Sequence, residues 1–152
     1  MDKYTEIRKI IEEAEEDVEF GEYVEEGRIS ELWIEKAEKR LNFPLPESYK
    51  WWLRHYGGGE IFGEEVYSIY EQDFDTVVGG DIVHMHELNK KQYSNFDNKL
   101  EICDADQGDQ VFYFDISQKD ENNEYPIYEY FSKRFYAKDF IEFLKKRILE
   151  ID

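Results

Sequence analysis

Hydrophobic residues recur at intervals of three and four in several stretches of the chain, the spacing that places them on one face of an α-helix. The first stretch predicts a helix over roughly residues 3 to 16. The second begins after Ser30, a favoured N-cap, and ends at Phe43-Pro44, because a residue before proline avoids the helical conformation. Within it Glu38 lies at the edge of the apolar face, and we expect it to pair with a backbone donor or with Lys or Arg.

A third helical stretch is rich in aromatic residues, and both of its ends are marked. Pro46 suits the first helical position, and Gly57 to Gly59 stop the helix, since glycine adopts a left-handed C-cap without strain. The residues expected on its buried face are Tyr49, Trp52, Leu53 and Tyr56. Trp51 lies off that face, so its exposure is open.

Short apolar runs bounded by turn residues predict strands. The predicted strands are Glu60 to Phe62, Val66 to Tyr70, Leu100 to Cys103, Gln110 to Asp115 and Ile127 to Phe131. A further helix is predicted between the second and third of these. It starts at Asp75 or Thr76 and runs to about Lys91, although Gly79-Gly80 weakens this prediction because glycine disfavours helix.

The last helix begins at Asp139, where Glu142 completes a capping-box pattern. The order of helices and strands is that of an α+β domain. No repeat and no Pro/Ser-rich linker divides the chain. We therefore predict a single domain over residues 1–152, with a mixed or antiparallel sheet flanked by helices and an acidic N-terminal helical extension over about residues 1–28.

Charge changes this picture more than any other feature of the composition. The 152 residues include 37 acidic and 19 basic ones, for a net charge of −18, and 17% are aromatic. Such a chain is repelled by polyanions, which argues against nucleic acid and anionic membranes as direct partners and suits a cationic one. Glu12 to Glu26 holds nine acidic residues and no basic one. We expect an irregular, solvated connection there, with a binding surface as the alternative.

Location is predicted from what the sequence lacks. The N-terminus has no apolar run typical of a signal peptide, and no window is long and apolar enough for a membrane helix. The single cysteine, Cys103, allows no intramolecular disulfide and fits a reducing compartment. We expect a cytoplasmic protein.

No residue cluster points to catalysis or to a cofactor. Cys103 lies in a predicted strand, where it is expected to be a small buried residue. The turn from Asp104 to Asp109 has the acids of a calcium loop without its glycine and glutamate spacing, so a β-turn is favoured over a metal site. His84 and His86 are two apart on a predicted helix, point away from each other and are expected to be partly exposed. We predict no enzyme activity, no metal and no cofactor.

The ordered pieces of this pattern resemble the SUKH superfamily, the Smi/Knr-type domain found mainly in bacterial immunity proteins. These pieces are the aromatic helix ending in glycines, Leu100 to Asp104 running into Gly108 to Asp115, Pro126-Ile127, and Asp139 to Leu144. The resemblance covers about Ile34 to Leu149. It implies an α+β fold, no catalysis, and a cytosolic protein that binds and neutralises a cognate toxin, often a nuclease or deaminase. The binding surface varies within the family, so no site residues carry over.

We hypothesise that an acidic and aromatic surface covers the basic active cleft of such a toxin. Between His55 and Asn89 the chain carries eight acidic residues and no Lys or Arg. The predicted partner-binding residues are Glu64, Glu65, Tyr67, Tyr70, Asp73, Asp75, Asp104, Asp106 and Asp109. Acids steer a cationic partner and desolvated rings give affinity. Two alternatives stay open: an adaptor of the same fold without a toxin partner, and a small-molecule or metal-binding domain.

Overall fold

The computed structural model describes residues 2–152 and contains one seven-stranded antiparallel sheet, in which each strand bonds to the next along the chain. The strands are β1 (Val18–Phe20), β2 (Gly59–Ile61), β3 (Glu64–Val66), β4 (Lys99–Ala105), β5 (Gln110–Asp115), β6 (Ile127–Glu129) and β7 (Phe135–Ala137). The helices are α1 (Lys3–Ala14), α2 (Glu31–Leu41), α3 (Glu47–His55), α4 (Ile82–Gln92) and α5 (Phe140–Leu149). The predicted α+β class is confirmed, and the sheet is antiparallel.

The starts of α2 and α5, each marked by a local capping residue, lie where the sequence predicts them. The Ser30 hydroxyl accepts a hydrogen bond from the Trp33 N–H at 3.3 Å, and the Asp139 carboxylate accepts one from the Glu142 N–H at 2.9 Å. Pro46 is the N-cap of α3 instead of its first helical residue. The Ser30 and Asp139 side chains satisfy backbone N–H groups that have no partner within the helix, and Pro46 has no backbone N–H to satisfy.

The predicted start of α4 is wrong. The helix begins at Ile82, and the Asp81 carboxylate accepts a hydrogen bond from the His84 N–H at 3.0 Å. The preceding residues, which we call the 71–80 loop, turn back on themselves, and Gly79 has a φ of 84°. Because glycine adopts that left-handed conformation without strain, the chain turns here and the helix starts only after it.

The strands differ from prediction mainly at the sheet edges. The acidic run predicted as irregular contains β1, whose Val18 pairs with Ile61 of β2. β7 is a second strand that the sequence pattern does not predict. The strand predicted over Val66 to Tyr70 is misplaced, since β3 ends at Val66, whereas β6 starts at Ile127 as predicted and ends two residues early at Glu129.

The core lies between α3, α5 and one face of the sheet, which we call the inner face. The predicted buried face of α3 is confirmed, since Tyr49, Trp52, Leu53 and Tyr56 are all buried. The Phe140 ring of α5 lies 5.1 Å from Tyr49 and 5.2 Å from Trp52 between centroids. Trp51 is partly buried and packs on Tyr4 of α1 at 4.8 Å. These ring contacts join the helical layer to the sheet.

α4 packs on the opposite, outer face of the sheet. The Asn89 side-chain amide of α4 donates a hydrogen bond to the Glu101 carboxylate of β4 at 2.8 Å. At the β1 to β3 end of the same face, Glu19 is exposed and Glu60 is partly exposed. The outer face therefore combines a covered centre with an accessible acidic end.

Candidate protein-interaction surface

Three glutamates stand in one row across β1, β2 and β3. The strand register places Glu19 directly opposite Glu60, and Glu60 directly opposite Glu65. Directly opposite residues of antiparallel strands lie on the same face with Cβ atoms about 4.5–5.5 Å apart, and like charges in such pairs are destabilising. No ion pair of residues 2–152 includes any of the three. We call this row the acidic strip.

The acidic turn between β4 and β5 lies beside the strip. The Asp106 N–H donates a hydrogen bond to Glu64 Oε2 at 2.6 Å, which ties the turn to β3. Asp104, Asp106 and Asp109 are exposed. Partial desolvation of its carboxylate by neighbouring atoms and the nearby Glu64 carboxylate raise the pKa of Asp104, although the residue as a whole is exposed. The structure therefore brings Glu64 close to Asp104 and Asp106 at this end of the sheet.

Glu64 has a structural role in this arrangement. It shares the inner face with Val18 and Ile61, with which it is in register across the strands. Its Oε1 lies 3.0 Å from the Arg147 guanidinium of α5. The Arg147 charge offsets that of Glu64, so the carboxylate joins three elements and contributes less to the surface field than Glu65 does.

The two predicted tyrosines differ in accessibility. Tyr67 is only 7% exposed, and its hydroxyl donates to Glu101 at 2.7 Å, so burial excludes it from a contact surface. Tyr70 is partly exposed; its hydroxyl donates to the Glu65 carboxylate and accepts from the Gly80 N–H at 2.9 Å. Burial and the Glu65 hydrogen bond raise the pKa of Tyr70 to about 12. Tyr70 thus remains a neutral donor that orients Glu65.

Asp73 and Asp75 lie in a different electrostatic environment. Asp75 forms an ion pair with Arg40 of α2 at 2.6 Å, and Asp73 faces a groove that Lys36 and Lys39 also line. The stretch between His55 and Asn89 has no Lys or Arg of its own, but in the folded protein the basic residues of α2 lie beside it. This removes the reason for grouping these two aspartates with the acidic strip.

The hairpin that joins β2 to β3 carries an exposed ring, Phe62, which the sequence pattern predicts as a strand residue. Phe62 lies instead in the tight turn between β2 and β3, followed by Gly63, and its side chain is 43% exposed. Phe62 has a φ of 51° and Gly63 a φ of 79°, a pair of left-handed residues for which Asn-Gly is preferred. A bulky residue in this conformation is strained, and such strain is found disproportionately at functional sites.

The candidate catalytic and metal-binding residues are placed as follows. Cys103 is buried, as predicted, and burial raises the pKa of its thiol to about 12, so the nucleophilic thiolate is disfavoured. His86 is buried, contrary to prediction, and its ring is edge-on to Phe43. Within residues 2–152 no three His, Cys, Asp or Glu residues are grouped so that they could hold a metal ion.

The architecture defines an α+β domain built on an antiparallel meander, with carboxylates at one accessible end of the sheet. A family model described as SMI1-KNR4 cell-wall (SUKH_6) matches residues 31–144. The chain belongs to the SMI1-KNR4 (SUKH) family. The match includes Glu60, Phe62 and Glu65, while Glu19 lies before it. Within residues 2–152 no helix has the length and apolar character required to span a bilayer.

Proposed function

We propose that this protein is a cytoplasmic immunity protein that binds a cognate cationic toxin, a nuclease or nucleic-acid deaminase, and covers its active cleft. The observation that carries the proposal is the acidic strip on a SUKH-family domain. The strip holds Glu19, Glu60 and Glu65 in register, and no ion pair among residues 2–152 includes any of them. An enzyme that binds nucleic acid must present a basic cleft, since its substrate is a polyanion.

Electrostatics supports this pairing of surfaces. The repulsion between opposed glutamates lowers the stability of the folded protein. A partner whose cations enter the strip removes this repulsion, which favours binding. Complementary fields raise association rates by roughly ten- to a thousand-fold at low ionic strength. Glu65 is held by Tyr70 and the Asp106 turn by Glu64, so part of this surface is ordered before the partner arrives. Less ordering entropy is then lost on binding.

Affinity requires desolvated apolar contacts in addition to charge. Phe62 is the exposed ring at the strip, and it stands at the tip of the turn that joins two of the strip's strands. We propose that Phe62 inserts into the toxin surface while Glu19, Glu60 and Glu65 pair with cleft cations. Asp104, Asp106 and Asp109 extend the acidic surface beyond β3.

The test uses a candidate toxin, the basic C-terminal domain of a large secreted protein encoded by an adjacent gene, co-expressed with the protein and also studied as a purified pair. The test variant carries Glu19→Lys, Glu60→Lys and Asp109→Lys. The control carries Glu35→Lys, Asp97→Lys and Glu121→Lys, three exposed acids outside the strip that give the same net charge. We expect the test variant to associate about tenfold more slowly at low salt, with a weaker salt dependence.

Three results separate the alternatives. Protection by the wild-type and control proteins but not by the test variant supports the proposal. Equal loss in both variants would show that net charge alone matters and that the strip is not the site. Failure of the wild-type protein to protect cells would favour the adaptor function.

A further inference from the structure

A groove of about 750 Å³ lies between α2 and the 71–80 loop, on a part of the surface that the proposed function does not use. Its apolar floor is formed by Trp33 and Phe74, whose rings meet edge to face with centroids 5.6 Å apart. Both rings are partly exposed. The groove runs along α2 from Trp33 to Arg40, about 10 Å at the rise of an α-helix.

The loop that forms the second wall is tied to both ends of α2. At one end the Glu71 carboxylate accepts a hydrogen bond from the Ser30 N–H at 3.1 Å. At the other, Asp75 lies 2.6 Å from the Arg40 guanidinium. The groove is therefore formed before any ligand binds, as most binding sites are.

The charge around the groove is opposite to that of most of the molecule. Lys36 and Lys39 line it, are exposed and form none of the ion pairs found among the described residues, and the Lys36 ammonium lies 4.4 Å from the centroid of the Trp33 ring. Arg40 is engaged by Asp75 and Glu87, so the remaining charges of the groove are the two lysines and the single carboxylate of Asp73, which leaves it with a net positive charge. Residues three apart on a helix are neighbours, which places the two ammonium groups along one side of the groove.

We propose that this groove binds an acidic peptide segment of a second protein, anchored by one large apolar side chain. The anchor covers Trp33 and Phe74, and flanking carboxylates pair with Lys36 and Lys39. The length of the groove fits several peptide residues, and its charge selects acidic over basic sequences. The ligand is opposite in charge to a cationic toxin, so the site is independent of the acidic strip and of the proposed function.

The experiment uses the full chain labelled with ¹⁵N and an acetylated Glu-Glu-Leu-Phe-Glu-Glu peptide at physiological salt, where long-range repulsion from the acidic surface is screened. The Trp33 indole resonance, assigned with Trp33→Phe, reports occupancy. We expect a saturable shift of this resonance. Peptides with Lys in place of Glu, or Ala in place of Leu and Phe, should bind at least tenfold more weakly.

Two charge variants locate the site. Lys36→Glu with Lys39→Glu should weaken binding at least tenfold, whereas Lys90→Glu with Lys119→Glu changes net charge equally at exposed positions outside the groove and should leave it unchanged. Absence of a saturable shift, or equal binding by both variants, would overturn the proposal. So would a Trp33 shift that depends on protein concentration without peptide, because a second copy would then cover the groove.

Discussion

Two buried glutamates of this sheet, Glu101 and Glu129, have pKa values shifted in opposite directions. Glu101 is 5% exposed, and its hydrogen-bond donors among residues 2–152 are the neutral groups of Tyr67 and Asn89, at 2.7 and 2.8 Å. Burial therefore raises its pKa, although the two hydrogen bonds oppose the shift. Glu129 is 8% exposed, and burial is outweighed by backbone donors that lower its pKa. These donors are the N–H groups of Val111, Phe131 and Ser132.

Glu101→Gln should become more stable relative to wild type as the pH rises from about 4.5 to 7. The folded protein holds the Glu101 proton more tightly than the unfolded chain does. Its contribution is therefore complete below the unfolded pKa of 4.5 and is lost as pH rises through the folded pKa. The loss is up to about 1.4 kcal/mol for each pH unit of that window. Urea denaturation across a pH series measures it.

Glu129→Gln is the matched control, because the pKa of Glu129 is shifted in the opposite direction to that of Glu101. Its lowered pKa means that the Glu129 carboxylate stabilises the fold above pH 4.5, and that this contribution is lost as pH falls through the folded pKa. The variant should be less stable than wild type at pH 7, by about 2 kcal/mol for weakened hydrogen bonds to a charged group. If the difference in free energy of unfolding between Glu101→Gln and wild type stays constant with pH, the pKa of Glu101 is not raised in the folded protein.

Among the secondary-structure elements, the β2–β3 hairpin is the one whose sequence conflicts most with its geometry. We predict that Phe62→Asn raises the free energy of unfolding by about 1 kcal/mol, because asparagine tolerates the left-handed conformation and relieves the strain. The same change should weaken toxin binding at least tenfold, mainly through faster dissociation, since it removes the exposed ring. Urea denaturation and surface-based kinetics measure the two effects.

Phe62→Ala separates the two effects, because alanine lacks the ring but keeps a Cβ in the same backbone conformation. It should weaken toxin binding as much as Phe62→Asn while giving no gain in stability. If both variants bind the toxin as wild type does, Phe62 is not a contact residue.

The sequence predicts the starts of α2 and α5 because a single capping residue precedes each apolar pattern, whereas α4 has several candidate caps before Asp81. Ser30 and Asp139 cap their helices through residues three positions away, so a short window contains the whole interaction. β1 and β7 are the edge strands of the sheet, and each is defined by its pairing with one neighbour, β2 or β6. The acidic strip depends on register between strands about forty residues apart, and the cations around Asp75 come from α2. Pairings of this kind are set by tertiary packing, which a pattern along the chain does not contain.

On the scale of the whole molecule, negative charge is distributed unevenly between paired and unpaired sites. Several acids join elements through ion pairs, as Glu6 does with Lys145 and Glu64 with Arg147. The acidic strip instead sets three carboxylates against one another, and the groove on α2 collects unpaired lysines. The net charge of −18 therefore predicts the local charge of neither the acidic strip nor the groove on α2. The proposed partners differ in charge because these surfaces do.

Glu60 lies between the other two members of the strip, so Glu60→Lys converts two like-charge pairs into two opposite-charge pairs. Each cross-strand pair contributes roughly 0.2–1 kcal/mol, so we expect the free energy of unfolding to rise by about 1 kcal/mol. The gain should shrink at high salt, which screens exposed charges. Glu121→Lys, in an exposed loop, serves as the control of equal net charge and should change stability by less.

The same Glu60→Lys variant should lose toxin affinity, because the carboxylate that repels its neighbours is the one that a cationic cleft would neutralise. Greater stability with weaker binding is the expected result where residues needed for binding lower the stability of the fold. Urea denaturation and binding kinetics on one preparation give both quantities. A variant that gains stability and still binds fully would place the toxin contact outside the strip. One that gains no stability would show that the three carboxylates do not repel one another in the folded protein.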